Sequence, residues 1–275
     1  MSEIFPYSNP LRFYTFGTAV DYDTIKPTSD NMRPRLEYQK GIFTHNYYPE
    51  HSKGESMSFT VIGNTDNIPT LTNVNTGATF NPASAEWDGT TTPTYITPTG
   101  WGGTPVQKYE ITFNEEGVYY WTIGADGVYY DSDEFVVKDW SETKDMIEIR
   151  YNDSRNGNGI FYNDSSGLKW DAKAYYTGYI EDENPSFEIS SFTDEPNNTI
   201  NVRSVPKLLK KVTLCNIHSV YLNNITYQMA CNNIYVNGMQ LTFESMSVEN
   251  IKNSTLKNIV LNLSVTNNNG YQQIT

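Results

Sequence analysis

The chain has 275 residues, which at about 150 residues per domain suggests two domains. It carries 19 Lys+Arg against 32 Asp+Glu, a formal net charge of -13. That balance argues against general nucleic-acid binding, because phosphate contacts need a cationic surface. Tyr occurs 21 times, Ala and Leu together 20 times, and Ile and Val together 36 times. Such a composition is poor helix material and good sheet material. It argues against helical bundles, coiled coils and alternating α/β folds, and the expected class is all-β with two β-sandwich-like domains.

Residues 1–10 read as a polar, Pro-containing arm. No basic segment leads into an apolar run there, so no secretory leader is expected. No apolar stretch approaches 18 residues, so no membrane-spanning helix is expected either. From Leu11 short alternating runs begin, such as Leu11–Phe16 and Ser56–Ile62. Residues 73–103 are rich in Thr, Pro and Gly and read as loops with short strands. The clearest signal lies at 105–140. Val106–Phe113, Val118–Ile123 and a third run spanning Val128–Tyr130 and Phe135–Val137 are separated by Gly-containing turns, the pattern of a β-meander.

The polar step Lys138–Lys144 is the best domain boundary, giving a first domain over 11–140 and a second over 141–275. Charge supports it: the net is -10 over residues 1–140 and -3 over 141–275. The second half opens with the strand Met146–Tyr151. Further strand candidates are 168–180, 186–192, 199–205, 210–217, 219–227, 233–237, 239–249 and 256–265. Asn237-Gly238 between apolar runs predicts a type I′ hairpin. A helical turn is expected near Pro206–Lys210.

Chemistry-bearing patterns are sparse. His45 and His51 fall in an expected surface loop whose spacing lacks the i, i+4 geometry of helical zinc sites. Cys215 and His218 stand three apart, on opposite faces of a strand, which disfavours a nucleophilic pair. Cys215 and Cys231 are too few for a disulfide scaffold and are expected as free thiols. Neither a catalytic residue, a metal site nor a cofactor is assigned.

Three features point instead to interaction. Paired tyrosines at 47–48, 119–120, 129–130 and 175–176 should each place one ring inward and one outward on a strand. They join Trp101 and its loop as candidates for an interface or a glycan surface. Arg203, Lys207, Lys210 and Lys211 form a basic island, with no acid between residues 196 and 243. Glu181, Asp182 and Glu183 form a dense acidic patch between expected strands. In an acidic chain the basic island suits an acidic partner, such as another copy of the same chain.

The stretch Glu148–Asp164 (Glu-Ile-Arg-Tyr-Asn-Asp-Ser-Arg-Asn-Gly-Asn-Gly-Ile-Phe-Tyr-Asn-Asp) resembles the opening of the second domain of tail structural proteins from tailed phages of Bacteroidetes. Gly127–Val137 is similar to the end of their first domain, and Val212–Val220 to a later strand. The Asn-rich composition fits crAss-like phages. The resemblance covers residues 105–165 and 200–225. It implies a tail hub or tail adaptor in the virion, assembling as a homo-oligomeric ring with other phage tail proteins and carrying no catalytic residues. No specific nucleic-acid binding and no membrane partner are expected. A carbohydrate-binding or receptor-binding β-sandwich module is the alternative reading of the aromatic excess.

Overall fold

The computed structural model describes residues 9–15, 37–40, 43–63, 69–80, 90–96, 106–125, 128–153, 171–194 and 198–265. Strands dominate them, and the protein is all-β. In the first half these are β1 (Phe13–Thr15), β2 (Glu37–Lys40), β3 (Phe43–Asn46), β4 (Glu50–Ser52), β5 (Ser56–Ile62), β6 (Thr70–Asn73), β7 (Thr79–Phe80), β8 (Thr90–Ile96), β9 (Val106–Thr112), β10 (Gly117–Ala125), β11 (Val128–Ser132) and β12 (Phe135–Lys138).

The expected meander is present, with β10 at its centre. Thr122 pairs with Asp131 and Tyr119 with Phe135, so the register of β10 steps by one residue across Asp133–Glu134. Strands β11 and β12 are therefore one strand broken by a bulge, as the single third run of the sequence suggests. On its other edge β10 pairs with β6. Strand β1 extends β11, and β4 joins β12 in parallel. A second sheet, in the order β5-β9-β8, lies apart from this one.

The two sheets share one core. Met57, Phe59 and Val61 of β5, with Tyr109 and Ile111 of β9, meet Leu71, Tyr119, Trp121, Ile123, Phe135 and Val137 of the larger sheet. Phe59 is the junction, its ring 5.6 Å from Trp121 and 5.2 Å from Tyr109. Burying one such aromatic side chain is worth roughly 2 kcal/mol of transfer free energy. The expectation that each tyrosine pair splits inward and outward fails at 119–120, where both rings are buried. A central strand is covered on both faces, so alternation in the strand does not expose its second ring.

The polar step at 138–144 holds a single helical turn, α1 (Trp140–Thr143). Asp139 caps it by accepting from Ser141 N at 2.9 Å, which places a carboxylate on an otherwise orphaned N–H. That bond holds the Asp139 carboxyl below its ordinary pKa.

The second half contains β13 (Met146–Asn152), β14 (Ala172–Asp194), β15 (Asn198–His218), a 3-10 turn (Ser219–Tyr221), α2 (Leu222–Met229), β16 (Asn233–Val236), β17 (Met239–Asn250) and β18 (Leu256–Val265). They do not make the expected second sandwich. They close into a six-stranded barrel in the order β13-β14-β15-β18-β17-β16. The closing pair is β13 with β16, where Ile149 faces Val236. The same two-residue alternation suits a barrel or a sandwich wall, so closure is decided by this long-range pairing and not by the local pattern. Ile147, Ile149, Tyr151, Val212, Leu214, Ile234, Val236, Ile259, Leu261 and Leu263 fill the interior.

Two local expectations are corrected here. Residues 219–227 are not a strand but the 3-10 turn and most of α2. Tyr221, Asn224, Ile225, Gln228 and Met229 are buried, a helical i, i+3, i+4 stripe that packs on the barrel core. Pro206–Lys210 is not a helical turn but part of β15. The hairpin at 237–238 is as expected: Asn237 has φ +47° and Gly238 φ +78°, the two left-handed residues of a type I′ turn.

Candidate functional site

The barrel and the first-half sheets meet along a polar seam. Asp133 is its anchor. The bulge between β11 and β12 sets this residue outside the regular ladder, and bulges commonly re-aim side chains in this way. Arg12 Nε and Nη2 donate to the two Asp133 oxygens at 2.9 and 3.0 Å. Tyr221 Oη, from the turn before α2, donates to Asp133 Oδ2 at 2.5 Å. The carboxylate is only 1% exposed, so both partners are needed to hold its charge. Beside it, Asn224 Nδ2 donates to Asn9 O at 2.9 Å. His218 Nε2 donates to Glu37 O at 3.0 Å, and its Nδ1 accepts from Val220 N. These bonds fix the neutral tautomer, and burial lowers the His218 pKa.

Further along the seam, β14 faces β4 and β5. Tyr175 Oη donates to Glu55 Oε2 at 3.0 Å and lies 3.2 Å from Glu148 Oε2. Burial, then the two carboxylates, raise its pKa. Thr177 Oγ1 donates to Glu50 Oε2, and Lys138 Nζ donates to Glu50 Oε1. His51 is not in a surface loop. It lies in β4, 1% exposed, and donates from Nε2 to Glu55 O. Its ring meets Phe113 and Tyr175 edge-on. Burial, with Lys173 nearby, lowers its pKa to about 4.

Between the two halves this seam opens into a cleft of about 770 Å³, within the range of small binding sites. Tyrosines 47, 48, 175, 176 and 221 line it, with Glu50, Lys138, Lys173 and Lys252 as its charged groups. Three lysines against one glutamate give the cleft a positive balance in a chain of charge -13. Lys138 pairs with Glu50. Among the described residues, Lys173 has no carboxylate within ion-pairing distance. Cys215 and Cys231 are free thiols; Cys215 is half-buried at the cleft and Cys231 is buried. Most tyrosine hydroxyls here are used inside the protein: Tyr175 on Glu55, Tyr176 on Gln228 and Tyr221 on Asp133.

The second feature is the continuation of β14 and β15 beyond the barrel. Strand β14 pairs with β13 only through Ala172–Thr177, and β15 pairs with β18 only from Leu209 to His218. From Asn184 to Asp194 and from Asn198 to Leu208 the two strands pair only with each other among the described residues. The result is a two-stranded arm, roughly 35 Å long at the antiparallel rise.

The arm absorbs most of the sequence candidates. Arg203 and Lys207 lie in its second strand, opposite Ser190 and Ser186. Lys210 and Lys211 lie at its root, inside the barrel wall. The acidic patch is not a loop: Glu181 faces Lys211, and the register shift sets Asp182 and Glu183 opposite Lys210. Lys211 Nζ donates to Glu181 Oε1 at 2.9 Å. The acidic patch and the Lys210–Lys211 part of the basic island thus lie across one ladder from each other. Trp101 and residues 1–8 lie outside the described residues.

Asp133, Tyr221, Lys138 and Lys173 were not singled out by the sequence. The interrupted run Asp131-Ser-Asp-Glu134 inside a strand pattern is the signal that marks the bulge, and the pair at 175–176, an interface or glycan candidate in the sequence, lines the cleft. The chain matches no family model, no curated protein and no solved structure.

Proposed function

We propose that the protein is a structural assembly subunit, a ring-forming tail hub or adaptor of a phage virion, and that it works by docking and not by catalysis. The arm carries this reading. A two-stranded hairpin is marginal on its own in water, and two edges with no partner among the described residues invite pairing with another chain. A protein that builds such an element onto a closed barrel has a use for it in a neighbour. The polar seam supports the reading too, because it ties the barrel to the first-half sheets and gives the arm a firm base. The phage assignment comes from the sequence resemblance, and the ring from the symmetry that self-associating subunits favour.

Quantitative mass spectrometry of purified particles from the source culture tests it. A ring subunit is present at a fixed multiple of the ring order relative to the portal. Absence from particles sinks the reading. The carbohydrate-binding alternative draws on the tyrosines of the cleft, but their hydroxyls are turned to protein partners, which leaves fewer polar groups to orient a sugar. A glycan array separates the two.

A further inference from the structure

We propose that the seam is an acid-operated latch: protonation of His51 and His218 parts the barrel from the first-half sheets while the barrel stays folded. The inference goes beyond the assembly reading and does not depend on it.

The first argument is position. Two of the chain's three histidines are buried at the seam, one from each side. The ring of His51, in β4, meets Tyr175 of the barrel wall at 4.9 Å. The ring of His218, at the end of β15, lies 5.4 Å from Tyr47 of the first half, and its Nε2 donates to Glu37 O of β2. A buried imidazole that gains a proton carries a charge that water no longer solvates. Parting the halves rehydrates both rings. The buried barrel core, by contrast, is apolar apart from Tyr151, Tyr221 and Cys231, side chains of types that are neutral in mild acid. Acid therefore charges the seam and not the core.

The second argument is what surrounds each ring. Around His51 stand Glu50 of the same strand, Lys138 of β12, Lys173 and Tyr175 of β14, Glu148 of β13, and Glu55 between β4 and β5. Glu50 is engaged by Lys138 and Thr177, and the Tyr175 hydroxyl lies on Glu55 and Glu148. Lys173 opposes a second positive charge. Around His218 stand Arg12 of β1, Asp133 of the bulge, Glu37 through its carbonyl, Tyr47 and Tyr221. Asp133 already holds Arg12 and Tyr221, and burial outweighs its pull on His218. His218 also caps the 3-10 turn, its Nδ1 accepting from Val220 N. A proton on Nδ1 removes that acceptor and loosens the turn that carries Tyr221, whose hydroxyl crosses the seam to Asp133. Opening returns His51 from about 4 toward its ordinary 6.5. The open form then binds more protons, so its equilibrium constant rises about thirtyfold from pH 7.5 to pH 5 through His51 alone.

The two native thiols test this on the full chain, because Cys215 lines the cleft and Cys231 is buried in the barrel core. Labelling by dithiodipyridine, which reacts with thiols in acid, is followed at each cysteine and scaled to the urea-unfolded chain at the same pH. Cys215 should label at least tenfold faster at pH 5 than at pH 7.5 and regain its protection on return, while Cys231 stays protected. His51→Gln/His218→Asn keeps a donor for Glu55 O and a capping acceptor for Val220 N without a titrating ring, and it should erase the acid gain. Circular dichroism at neutral pH confirms that the variant is folded. His51→Gln alone serves if the double variant does not fold, and should cut the gain at least fivefold. Cys215 labelling that ignores pH overturns the latch. So does exposure of both thiols together, which is unfolding of the whole chain, and so does an acid gain that survives removal of the histidines.

Discussion

Between Ala172 and Glu181, β14 is one stave of a closed barrel; between Asn184 and Asp194 the same strand pairs, among the described residues, only with β15. In the barrel, neighbouring staves bury Val212 and Leu214 completely, and closure leaves no edge to protect. In the arm, the two strands pair, among the described residues, only with each other. One continuous hairpin thus passes from the wall of a closed barrel to a two-stranded ladder. The lesson is that strand length by itself says little: what matters is how many residues of each strand find a third strand.

The contrast is broken most severely at Gly178. A Cβ built there lies 2.1 Å from the Thr213 carbonyl oxygen of the neighbouring stave, a backbone atom that cannot step aside. Gly178→Val should cost about 3 kcal/mol or more and lower the urea midpoint sharply. Gly238→Ala, at a left-handed turn with no atom within 4 Å of the new Cβ, should cost only about 1 kcal/mol. Equal losses at the two sites would contradict the tight barrel packing.

Protonation probes the seam rather than the barrel. Folding holds His51 at a pKa of about 4, below its ordinary 6.5. The unfolded chain therefore binds more protons between those values, and stability falls as pH drops from 6.5 to 4. The loss approaches roughly 3 kcal/mol once both limits are passed. His218 is shifted in the same direction by burial and adds to it. His51→Gln keeps a donor for Glu55 O and should flatten the urea-stability profile over that window. An unchanged profile would place the acid sensitivity elsewhere. Tyr221→Phe comes next: it removes one of the bonds that hold the buried Asp133 charge and should cost about 1–2 kcal/mol, measured by thermal unfolding.

How much of this was legible depends on range in sequence. The meander at 105–140 and the Asn237-Gly238 hairpin were readable because turn residues and alternation are local. Barrel closure was not, since it rests on β13 meeting β16, with Arg150 facing Tyr235, and nothing within either strand announces the other. The arm was fragmented into separate candidates at 186–192 and 199–205 because Pro185 and Pro206 read as punctuation. Both positions are tolerated where only one edge of a strand is paired. α2 was missed because Tyr and Ile weigh toward strand, although its buried stripe has helical spacing. The cleft was invisible because β4, β12, β14, β15, the 46–49 segment and the 251–254 turn all contribute to it, places with no shared motif.

The smallest effect on stability belongs to the root of the arm, and it sharpens the comparison most. Lys211 and Glu181 are both more than a third exposed, so solvent screens their attraction and their pairing adds little to folding. Lys210→Glu/Lys211→Glu should leave the thermal midpoint of the barrel nearly unchanged. It should nonetheless weaken self-association, because it sets three acidic register positions, Glu181 to Glu183, against two more at the point where the arm leaves the wall. The first turn of the arm then loses its counter-charge, and the direction in which the arm projects is no longer fixed. Adding Glu181→Lys restores one opposite-charge pair at the root and should recover part of the association. A double reversal that melts the barrel would mean that the root is load-sharing with the core, and that barrel and arm are one cooperative unit. A double reversal that leaves association untouched would mean that the arm is held by its backbone ladder alone.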